Sequence, residues 1–254
     1  MFSKNCMAGS CALVTGASSG LGTHFSKVLA QYGASVIVTA RRTDELETVV
    51  EEIRAGGGHA KAIAMDVSDP KSVESAFDEI KQGEAPTILI NNAGVADIKR
   101  FLNLDEESWA RVMDTNVTGV YRVARAFARM LIDRDLGGSI VNLGSIGGLR
   151  IGVGQTAYGA SKAAVIHLTR GLSQELASKN IRVNALCPGF FVTEMNHDYF
   201  ASEHGQAYIK NTPAGRTGRL EELNGPLLLL VSDAGSFVNG VALPVDGSHS
   251  NKFD

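Results

Sequence analysis

Residues 15–22 read Thr15-Gly16-Ala17-Ser18-Ser19-Gly20-Leu21-Gly22 and join a strand-like apolar run to a segment with helical spacing. Glycines at such a turn allow a sharp bend, let the backbone approach a diphosphate, and let the helix pack closely on the strand. The helix N-terminus then faces the anion. The spacing is Gly-x-x-x-Gly-x-Gly instead of Gly-x-Gly-x-x-Gly, so a plain turn is the alternative interpretation. Its position between the first strand and the first helix favours a dinucleotide site in an α/β fold.

The alternation of apolar runs and helical segments continues along the chain. Runs rich in β-branched residues predict seven buried strands, at residues 12–15, 35–40, 60–65, 88–91, 139–143, 181–186 and 241–245. Helical spacing fills stretches between them, at residues 21–32, 43–55, 70–82, 105–133, 157–179 and 220–232. Such alternation indicates βαβ units around a parallel sheet. We therefore predict a Rossmann-type α/β fold, a doubly wound parallel seven-stranded sheet with helices on both faces.

Length and continuity indicate one domain. The chain has 254 residues, a length that α/β domains often reach undivided. No repeat, low-complexity tract or linker interrupts the alternation. We expect a single domain over residues 1–254, with its core at about residues 10–247.

Composition argues against several partners. The net charge is −3 and the basic residues are scattered, so no footprint for nucleic acid or an anionic membrane is present. The apolar runs fall far short of the roughly 20 residues that a membrane span needs. Without the apolar stretch of a signal peptide near the N-terminus, we expect a cytoplasmic protein. Three cysteines without metal-ligand spacing fit a reducing compartment, and the six dispersed histidines predict no metal site.

The end of the second predicted strand indicates which cofactor binds. An acidic residue there commonly bonds the ribose 2′-hydroxyl of NAD, whereas an arginine accommodates the 2′-phosphate of NADP. The sequence has Arg41 and Arg42, and its first carboxylate comes only at Asp44. We therefore predict NADP(H) over NAD(H), with Arg41 as the stronger candidate. Two solvated arginines at a helix start are the alternative.

Polar residues follow other predicted strands at the carboxyl edge, where ligands bind in open parallel sheets. Asp66-Val67 follows the third strand, Asn91-Asn92-Ala93-Gly94 ends the fourth, and Ser145 follows the fifth. Ser145 could hydrogen-bond a substrate oxygen, although all of these residue types also form turns. Asn116 interrupts a helical segment; as a mediocre helix former, it marks either a local distortion or a function.

The pair Tyr158-x-x-x-Lys162 predicts acid/base chemistry. Residues four apart lie on one face of a helix, and a lysine cation favours a nearby phenolate and lowers its pKa. At an effective dielectric of about 20, charges about 4 Å apart gain up to about 4 kcal/mol, or about three pKa units. The alternative is a half-buried ring beside an amine that reaches solvent.

Together these motifs resemble the short-chain dehydrogenase/reductase family over about residues 10–247. The resemblance implies an oxidoreductase that interconverts a ketone and a secondary alcohol with a nicotinamide cofactor. The motifs that carry it, in chain order, are Thr15-Gly16 with Gly20 and Gly22, Asp66, Asn91 to Gly94, Asn116, Ser145, Tyr158 with Lys162, Pro188-Gly189 with Thr193, and Val245-Asp246-Gly247.

The resemblance also implies roles for single residues. Tyr158 would be the acid/base, and Ser145 would hold and polarise the substrate oxygen. Lys162 would lower the pKa of Tyr158 and bind the nicotinamide ribose, while Asn116 would support a water relay. The implied cofactor-binding residues are Gly16, Ser18, Ser19, Gly20, Leu21, Arg41, Arg42, Asp66, Val67, Asn92, Ala93, Gly94, Tyr158, Lys162, Pro188, Gly189 and Thr193.

Residues 190–220 should form a lid over the substrate. Their aromatic and apolar side chains suggest apolar walls, but a lid packed by its own aromatics is the alternative, and polar residues here could meet a polar substrate. Arg150 is a further candidate for a substrate contact. The predicted substrate contacts are Ser145, Gln155, Tyr158, Phe190 and Phe191, and the further lid residues are Met195, Asn196, His197, Phe200, Tyr208, Lys210 and Asn211.

Substrate and assembly stay open at this point. Residues 212–240 are similar to family members that act on sugar acids such as gluconate and to 3-oxoacyl-thioester reductases. A keto-sugar acid, a 3-oxoacyl thioester, or a cyclic or aryl ketone is therefore the expected small-molecule substrate. The resemblance implies a homotetramer, or else a homodimer. A non-catalytic dinucleotide-sensing protein and an epimerase-like enzyme are the rival functions.

The sequence departs from the family pattern at three places. Gly144 precedes Ser145 where the family often has another serine, and Ser248 follows Gly247 where a further glycine is usual. The glycine-rich turn has Ser18-Ser19 where many NADP-using members carry a basic residue.

Overall fold

Seven strands form one parallel sheet in a computed structural model, which describes residues 2–194 and 196–251. Met195, a predicted lid residue, lies outside that part. The strand order is β3-β2-β1-β4-β5-β6-β7, so the predicted doubly wound sheet is confirmed. The strands are β1 (Cys11–Thr15), β2 (Ser35–Ala40), β3 (His59–Ala64), β4 (Ile88–Asn91), β5 (Gly138–Leu143), β6 (Ile181–Pro188) and β7 (Ala242–Val245).

Helices connect the strands and cover both faces of the sheet. Within the described residues, none combines the length and the apolar character that crossing a bilayer requires. The α-helices are α1 (Gly20–Gln31), α2 (Thr43–Ala55), α3 (Pro70–Ile80), α4 (Glu106–Met113), α5 (Gly119–Asp133), α6 (Thr156–Leu176), α7 (His197–Ala201), α8 (Glu203–Lys210) and α9 (Asn224–Val231).

The core has one apolar layer on each face of the sheet. Side chains alternate along β1, so that Ala12 and Val14 join α1, α2 and α9 in one layer, whereas Leu13 joins α3 and α5 in the other. Phe25 of α1 and Phe127 of α5 are fully buried, one in each layer. Burial of each ring contributes about 1.5–3 kcal/mol relative to exposure.

The segment predicted as one helix over residues 105–133 is divided. A single π-helical turn, Asp114–Thr118, separates α4 from α5. The predicted last helix also begins later, because Leu220–Leu223 forms a 3₁₀ turn before α9. Turns of the π type often occur at functional sites in proteins.

Strand order reverses between β1 and β4, which pair in parallel with Val14 opposite Ile90. In open parallel sheets the crevice for ligands lies outside the carboxyl ends of the strands at such a point. The glycine-rich turn after β1 therefore faces the loop after β4 across this crevice.

Candidate active site

A cleft of about 460 Å³ opens at the carboxyl edge of the sheet, a size typical of a ligand site. The glycine-rich turn and the ends of β2 to β6 line it. Every predicted cofactor-binding residue borders this cleft, together with Ser145. The cleft is also lined by residues outside the predicted set. Two of them are neighbours of predicted residues in the sequence: Thr115 precedes Asn116 in the π-helical turn, and Glu194 follows Thr193.

The glycine-rich turn leaves space that side chains would fill. Gly16 and Gly20 have φ of 62° and 58°, the left-handed region that favours glycine. A Cβ on Gly16 would lie 2.7 Å from Ala93 Cα, and one on Gly22 would collide with the Gly16 carbonyl oxygen. Ser19 makes no side-chain cap on α1, so backbone N–H groups at its start are free for an anion. This cradle fits a diphosphate-containing cofactor.

Asn92 fixes the turn from the opposite strand. Its amide donates hydrogen bonds to the carbonyl oxygens of Thr15 at 2.9 Å and of Gly16 at 3.0 Å. The Thr15 hydroxyl in turn accepts the N–H groups of Asn92 and Ala93, both at 3.0 Å. The amide of Asn92 therefore shapes the glycine-rich turn, although the residue also borders the cleft.

Arg42 brings positive charge to the glycine-rich turn. Its Nη2 donates to the hydroxyls of Ser18 at 3.0 Å and Ser19 at 3.2 Å, while Nη1 pairs with Glu45 at 3.3 Å. Arg41 is exposed beside it. The Arg42 guanidinium thus brings to the glycine-rich turn a positive charge that the residues of the turn do not have.

Asp66 borders the cleft from the end of β3. Burial raises the pKa of its carboxyl, but hydrogen bonds from Ser68 and the charges of Arg41 and Arg122 outweigh burial and lower it. The carboxylate accepts the N–H of Ser68 at 2.9 Å and its hydroxyl at 2.6 Å. Asp66 is therefore ionised at neutral pH and held in place.

Ser145, Tyr158 and Lys162 meet at the inner end of the cleft. The Lys162 Nζ lies 5.7 Å from the centroid of the Tyr158 ring and donates to the Leu143 carbonyl oxygen at 2.7 Å. Ser145 Oγ and Tyr158 Cε1 each lie 3.4 Å from the point that a Cβ on Gly147 would occupy, so the two side chains are neighbours. The Ser145 Oγ also accepts the N–H of Gly147 at 3.0 Å. The predicted hydroxyl, phenol and ammonium are thus brought together.

The pKa of Tyr158 differs from the sequence-based expectation. Burial raises it above the ordinary value of 10, the hydrogen bond with Ser145 lowers it less, and Cys187 raises it further. Burial also lowers the pKa of Lys162 to about 8. Burial therefore sets the direction of the Tyr158 shift, and the lowering of the tyrosine pKa by Lys162 stays a prediction. Tyr158 consequently remains protonated at neutral pH, the form that a proton donor requires.

Asn116 lies in the π-helical turn, completely buried behind the cleft. Its Oδ1 accepts the N–H of Val95 at 2.8 Å. Its amide donates to the Val95 carbonyl oxygen at 2.9 Å and to the Ser161 hydroxyl at 3.0 Å. The side chain thus ties the loop after β4 to α6, and the role in a water relay stays a prediction.

The predicted substrate contacts separate into two groups. The first group surrounds Gly147. The point that a Cβ on Gly147 would occupy is 3.4 Å from Ser145 Oγ, 3.4 Å from Tyr158 Cε1 and 3.5 Å from Gln155 Oε1. Phe190 instead lines a second cavity of about 160 Å³ beneath the lid, and Phe191 lines both.

The aromatic residues of the lid pack on one another. The Phe190 ring is 5.2 Å from that of Phe200 and 5.4 Å from that of Tyr208, both nearly edge-on. Such contacts stabilise aromatic pairs beyond their buried area. The alternative of a lid packed by its own aromatics therefore describes this part of the lid.

Comparison with known proteins places this site in a family. The model of the short chain dehydrogenase family matches residues 10–204. The chain belongs to this family. Short-chain dehydrogenases that resemble it cover nearly all of its length, so the likeness extends beyond the matched segment.

Three curated relatives illustrate the range. Galactitol 2-dehydrogenase (L-tagatose-forming) of Cereibacter sphaeroides is 38% identical over 95% of both chains. Gluconate 5-dehydrogenase of Gluconobacter oxydans is 39% identical over 95% of this chain and 94% of its own. A 3-oxoacyl-[acyl-carrier-protein] reductase of Pseudomonas aeruginosa is 35% identical over 95% and 97%.

A solved structure agrees closely with this fold. The gluconate 5-dehydrogenase of Burkholderia cenocepacia J2315, in complex with NADP and tartrate, superposes with a TM-score of 0.94 at 33% identity, covering 98% of this chain and 99% of that one. This short-chain dehydrogenase is accordingly an oxidoreductase that acts on CH–OH or ketone groups, and a nicotinamide dinucleotide is its cofactor.

Proposed function

We propose that this short-chain dehydrogenase is an NADP(H)-dependent enzyme that interconverts a ketone and a secondary alcohol, with Tyr158 as the acid/base. The observation that carries the proposal is the group of Ser145, Tyr158 and Lys162 at the inner end of a cleft whose other end is a glycine-rich cradle. A bound dinucleotide supplies the hydride.

The residues of the chain handle the substrate oxygen. In reduction, the Ser145 hydroxyl donates a hydrogen bond to the carbonyl oxygen, and Tyr158 transfers its proton to that oxygen as negative charge develops. The buried ammonium of Lys162 then stabilises the phenolate that remains. In oxidation, the phenolate takes the proton from the alcohol. The raised pKa of Tyr158 supports the first direction, because it keeps the donor protonated at neutral pH.

The preference for NADP(H) is supported by the two arginines after β2. Arg42 contacts Ser18 and Ser19, and Arg41 acts electrostatically on Asp66. The strand itself ends without the carboxylate that an NAD site commonly has. Loss of one charge-assisted hydrogen bond to a phosphate weakens binding about 10- to 150-fold. Arg41→Ala should therefore raise the Kd of NADPH by such a factor and that of NADH little; equal losses would mean that the 2′-phosphate is not recognised there.

The substrate is proposed to be a keto-sugar acid or a related polyol ketone, under the lid of residues 190–220. Support comes from the relatives that act on galactitol and gluconate. Gln155 Oε1 and Ser145 Oγ both lie within 3.5 Å of the point that a Cβ on Gly147 would occupy, and Phe191 borders the cleft that holds Ser145 and Tyr158.

A second substrate class is favoured by the rim beside Gln155. Lys99 N–H donates to the Gly154 carbonyl oxygen at 3.0 Å and joins two loops there. On these loops Ile98 and Ile151 are each 62% exposed and Val153 is 86% exposed. An apolar rim of this kind could contact the acyl chain of a 3-oxoacyl thioester or the ring of a cyclic or aryl ketone.

One assay tests the function and separates the substrate classes. NADPH consumption is measured with 5-ketogluconate, L-tagatose, an acetoacetyl thioester, cyclohexanone and acetophenone, with Tyr158→Phe as the matched control. Removal of a general acid lowers turnover about 10²- to 10⁴-fold, while NADPH affinity should change little. Turnover retained by Tyr158→Phe would refute the acid/base role. Bound NADPH without turnover of any ketone would favour the sensing role.

Assembly as a homotetramer is also proposed. Trp109 of α4 and Tyr121 of α5 are 40% and 48% exposed, and large exposed apolar side chains are compatible with a helix interface. Light scattering coupled to gel filtration should give four times the mass of the chain; a monomer at micromolar concentration would contradict the proposal. The cytoplasmic location stays a prediction from the sequence.

A further inference from the structure

Gly144, directly before Ser145, is not required by the backbone. Its φ is outside the left-handed region, in contrast to glycines such as Gly16 and Gly20. Its N–H donates to the Leu186 carbonyl oxygen at 2.8 Å and continues the pairing of β5 with β6 by one residue. A side chain would be conformationally acceptable here, so a different constraint must favour glycine.

That constraint is space, which the sulfur of Cys187 occupies. A Cβ on Gly144 would lie 2.6 Å from Cys187 Sγ, and 3.4 Å from both Ile166 Cγ1 and the Leu186 carbonyl oxygen. Non-bonded heavy atoms prefer a separation of about 3.5–4.0 Å. Cys187 is completely buried on β6, where it pairs with Pro244 of β7. The sulfur therefore fills the space beside Gly144 and has no contact with solvent.

The same sulfur contacts the backbone of Ser145. Gly144, which packs against the sulfur, directly precedes Ser145, and the Ser145 N–H lowers the pKa of the Cys187 thiol as a hydrogen-bond donor. Burial raises the pKa of the Cys187 thiol to about 11, so it remains neutral at physiological pH although Lys162 is nearby. On the other side, the Ser145 hydroxyl accepts the N–H of Gly147 at 3.0 Å. Ser145 is thus held through its backbone from β6 and through its hydroxyl from the following turn.

We propose that Cys187 is a positioning residue for Ser145, and that Gly144 is the residue that admits its sulfur. The sulfur fixes the Ser145 backbone so that the hydroxyl meets Tyr158 at the substrate oxygen. This inference rests on the proposed function, in which Ser145 and Tyr158 contact that oxygen. It also accounts for the departure from the family pattern at residue 144, where a serine would collide with the sulfur.

Residues 144 and 187 should therefore be energetically coupled. A methyl group added at 144 overpacks the contact only while the sulfur is present. Removal of the sulfur frees the space but releases the Ser145 N–H from its acceptor. Substitutions at contacting residues give non-additive effects, whereas independent sites give additive ones.

A double-mutant cycle measures this coupling with wild type, Gly144→Ala, Cys187→Ala and the double variant. The readouts are kcat and KM for the ketone of the panel that wild type reduces fastest, and Kd for NADPH. Gly144→Ala should lower kcat about 10- to 100-fold through overpacking. Cys187→Ala should lower kcat about 3- to 10-fold, the effect of one neutral hydrogen bond. The double variant should match Cys187→Ala, and additive losses would overturn the proposal.

Two readouts separate positioning from general loss of structure. The effects should fall on kcat, with KM and the Kd of NADPH within about 3-fold of wild type, because binding groups keep their places. Cys187→Ser retains an acceptor for the Ser145 N–H and should recover most of the kcat lost in Cys187→Ala. Both Cys187 variants retaining wild-type kcat would refute the positioning role.

Thermal unfolding of the same four proteins keeps the inference separate from the proposed function. Gly144→Ala should lower Tm by about 3–10 °C in wild type and by much less in Cys187→Ala. If Gly144→Ala alone does not fold, a folded double variant gives the same answer. If wild type reduces no ketone, the proposed function fails, and the crystal structure of Cys187→Ala then decides. A Ser145 Oγ that keeps its position there would refute positioning, and a displaced one would support it.

Discussion

Replacement of the buried Lys162 by methionine should stabilise the protein at neutral pH. Burial lowers the pKa of this lysine from 10.5 to about 8, a difference that corresponds to roughly 3 kcal/mol. Methionine has a similar length without the charge, but it leaves the Leu143 carbonyl oxygen without its hydrogen bond, which costs about 1–3 kcal/mol. At pH 7 we therefore expect Lys162→Met to be more stable than wild type by up to about 2 kcal/mol.

The sign of the pH dependence follows from linkage. The folded state binds the lysine proton less tightly than the unfolded state, so wild type is fully stable only above pH 10.5, where both states are neutral. That stability is lost as the pH falls from 10.5 through about 8. The advantage of Lys162→Met at pH 7 should accordingly shrink and reverse as the pH rises through this window.

Urea unfolding of both proteins at several pH values between 7 and 10 measures this difference directly. Groups that titrate in both proteins cancel in the comparison. Lys179→Met, which removes a lysine at an exposed site instead of a buried one, is the matched control. A pH-independent difference between wild type and Lys162→Met would refute the reasoning, because it would mean that the buried lysine has an ordinary pKa in the folded protein.

Two further predictions concern Arg122, which holds the loop after β3 at the edge of the cleft, and the backbone conformation of Ser248. Arg122 donates to the carbonyl oxygens of Val67 at 3.3 Å and Ser68 at 2.9 Å, so Arg122→Ala should raise the Kd of NADPH about 5- to 30-fold with kcat nearly unchanged. Fluorescence titration tests this, and an equal effect of Arg125→Ala, at an exposed arginine of the same helix, would argue against it. Ser248 has a φ of 69°, a conformation that costs a non-glycine residue about 1 kcal/mol. Ser248→Gly should therefore raise Tm by about 2–4 °C, and a lower Tm in calorimetry would contradict this.

The sheet and the location of the site could be predicted because they depend on local patterns. Apolar runs alternate with helical segments, and a glycine-rich turn follows the first strand, so the fold and the carboxyl-edge site follow from chain order. Close packing also explains why Gly22 is a glycine, since a Cβ there would collide with Gly16. These signals lie within a few residues of one another in the sequence.

Features that depend on contacts between distant segments were not predictable. The π-helical turn is stabilised by bonds from Asn116 to Val95 and Ser161, 21 and 45 residues away. The substrate contact of Phe190 stays a prediction, whereas its packing against Phe200 and Tyr208 in the lid comes from residues 10 and 18 positions away. In each case the sequence shows the residue type, whereas its surroundings come from the tertiary structure.

The net direction of the Tyr158 pKa shift could not be predicted from spacing for a related reason, and this direction bears on the proposed function. Spacing shows that a lysine is near the phenol, but not that both groups are buried. Burial disfavours the charged form of each, so it raises the pKa of Tyr158 and lowers that of Lys162. The resting pair is consequently a neutral phenol beside a destabilised cation, which is suited to giving a proton away. In the proposed reaction, the buried ammonium would gain a counter-charge once the proton leaves, so the lysine that weakens the folded state would be the group that stabilises the phenolate.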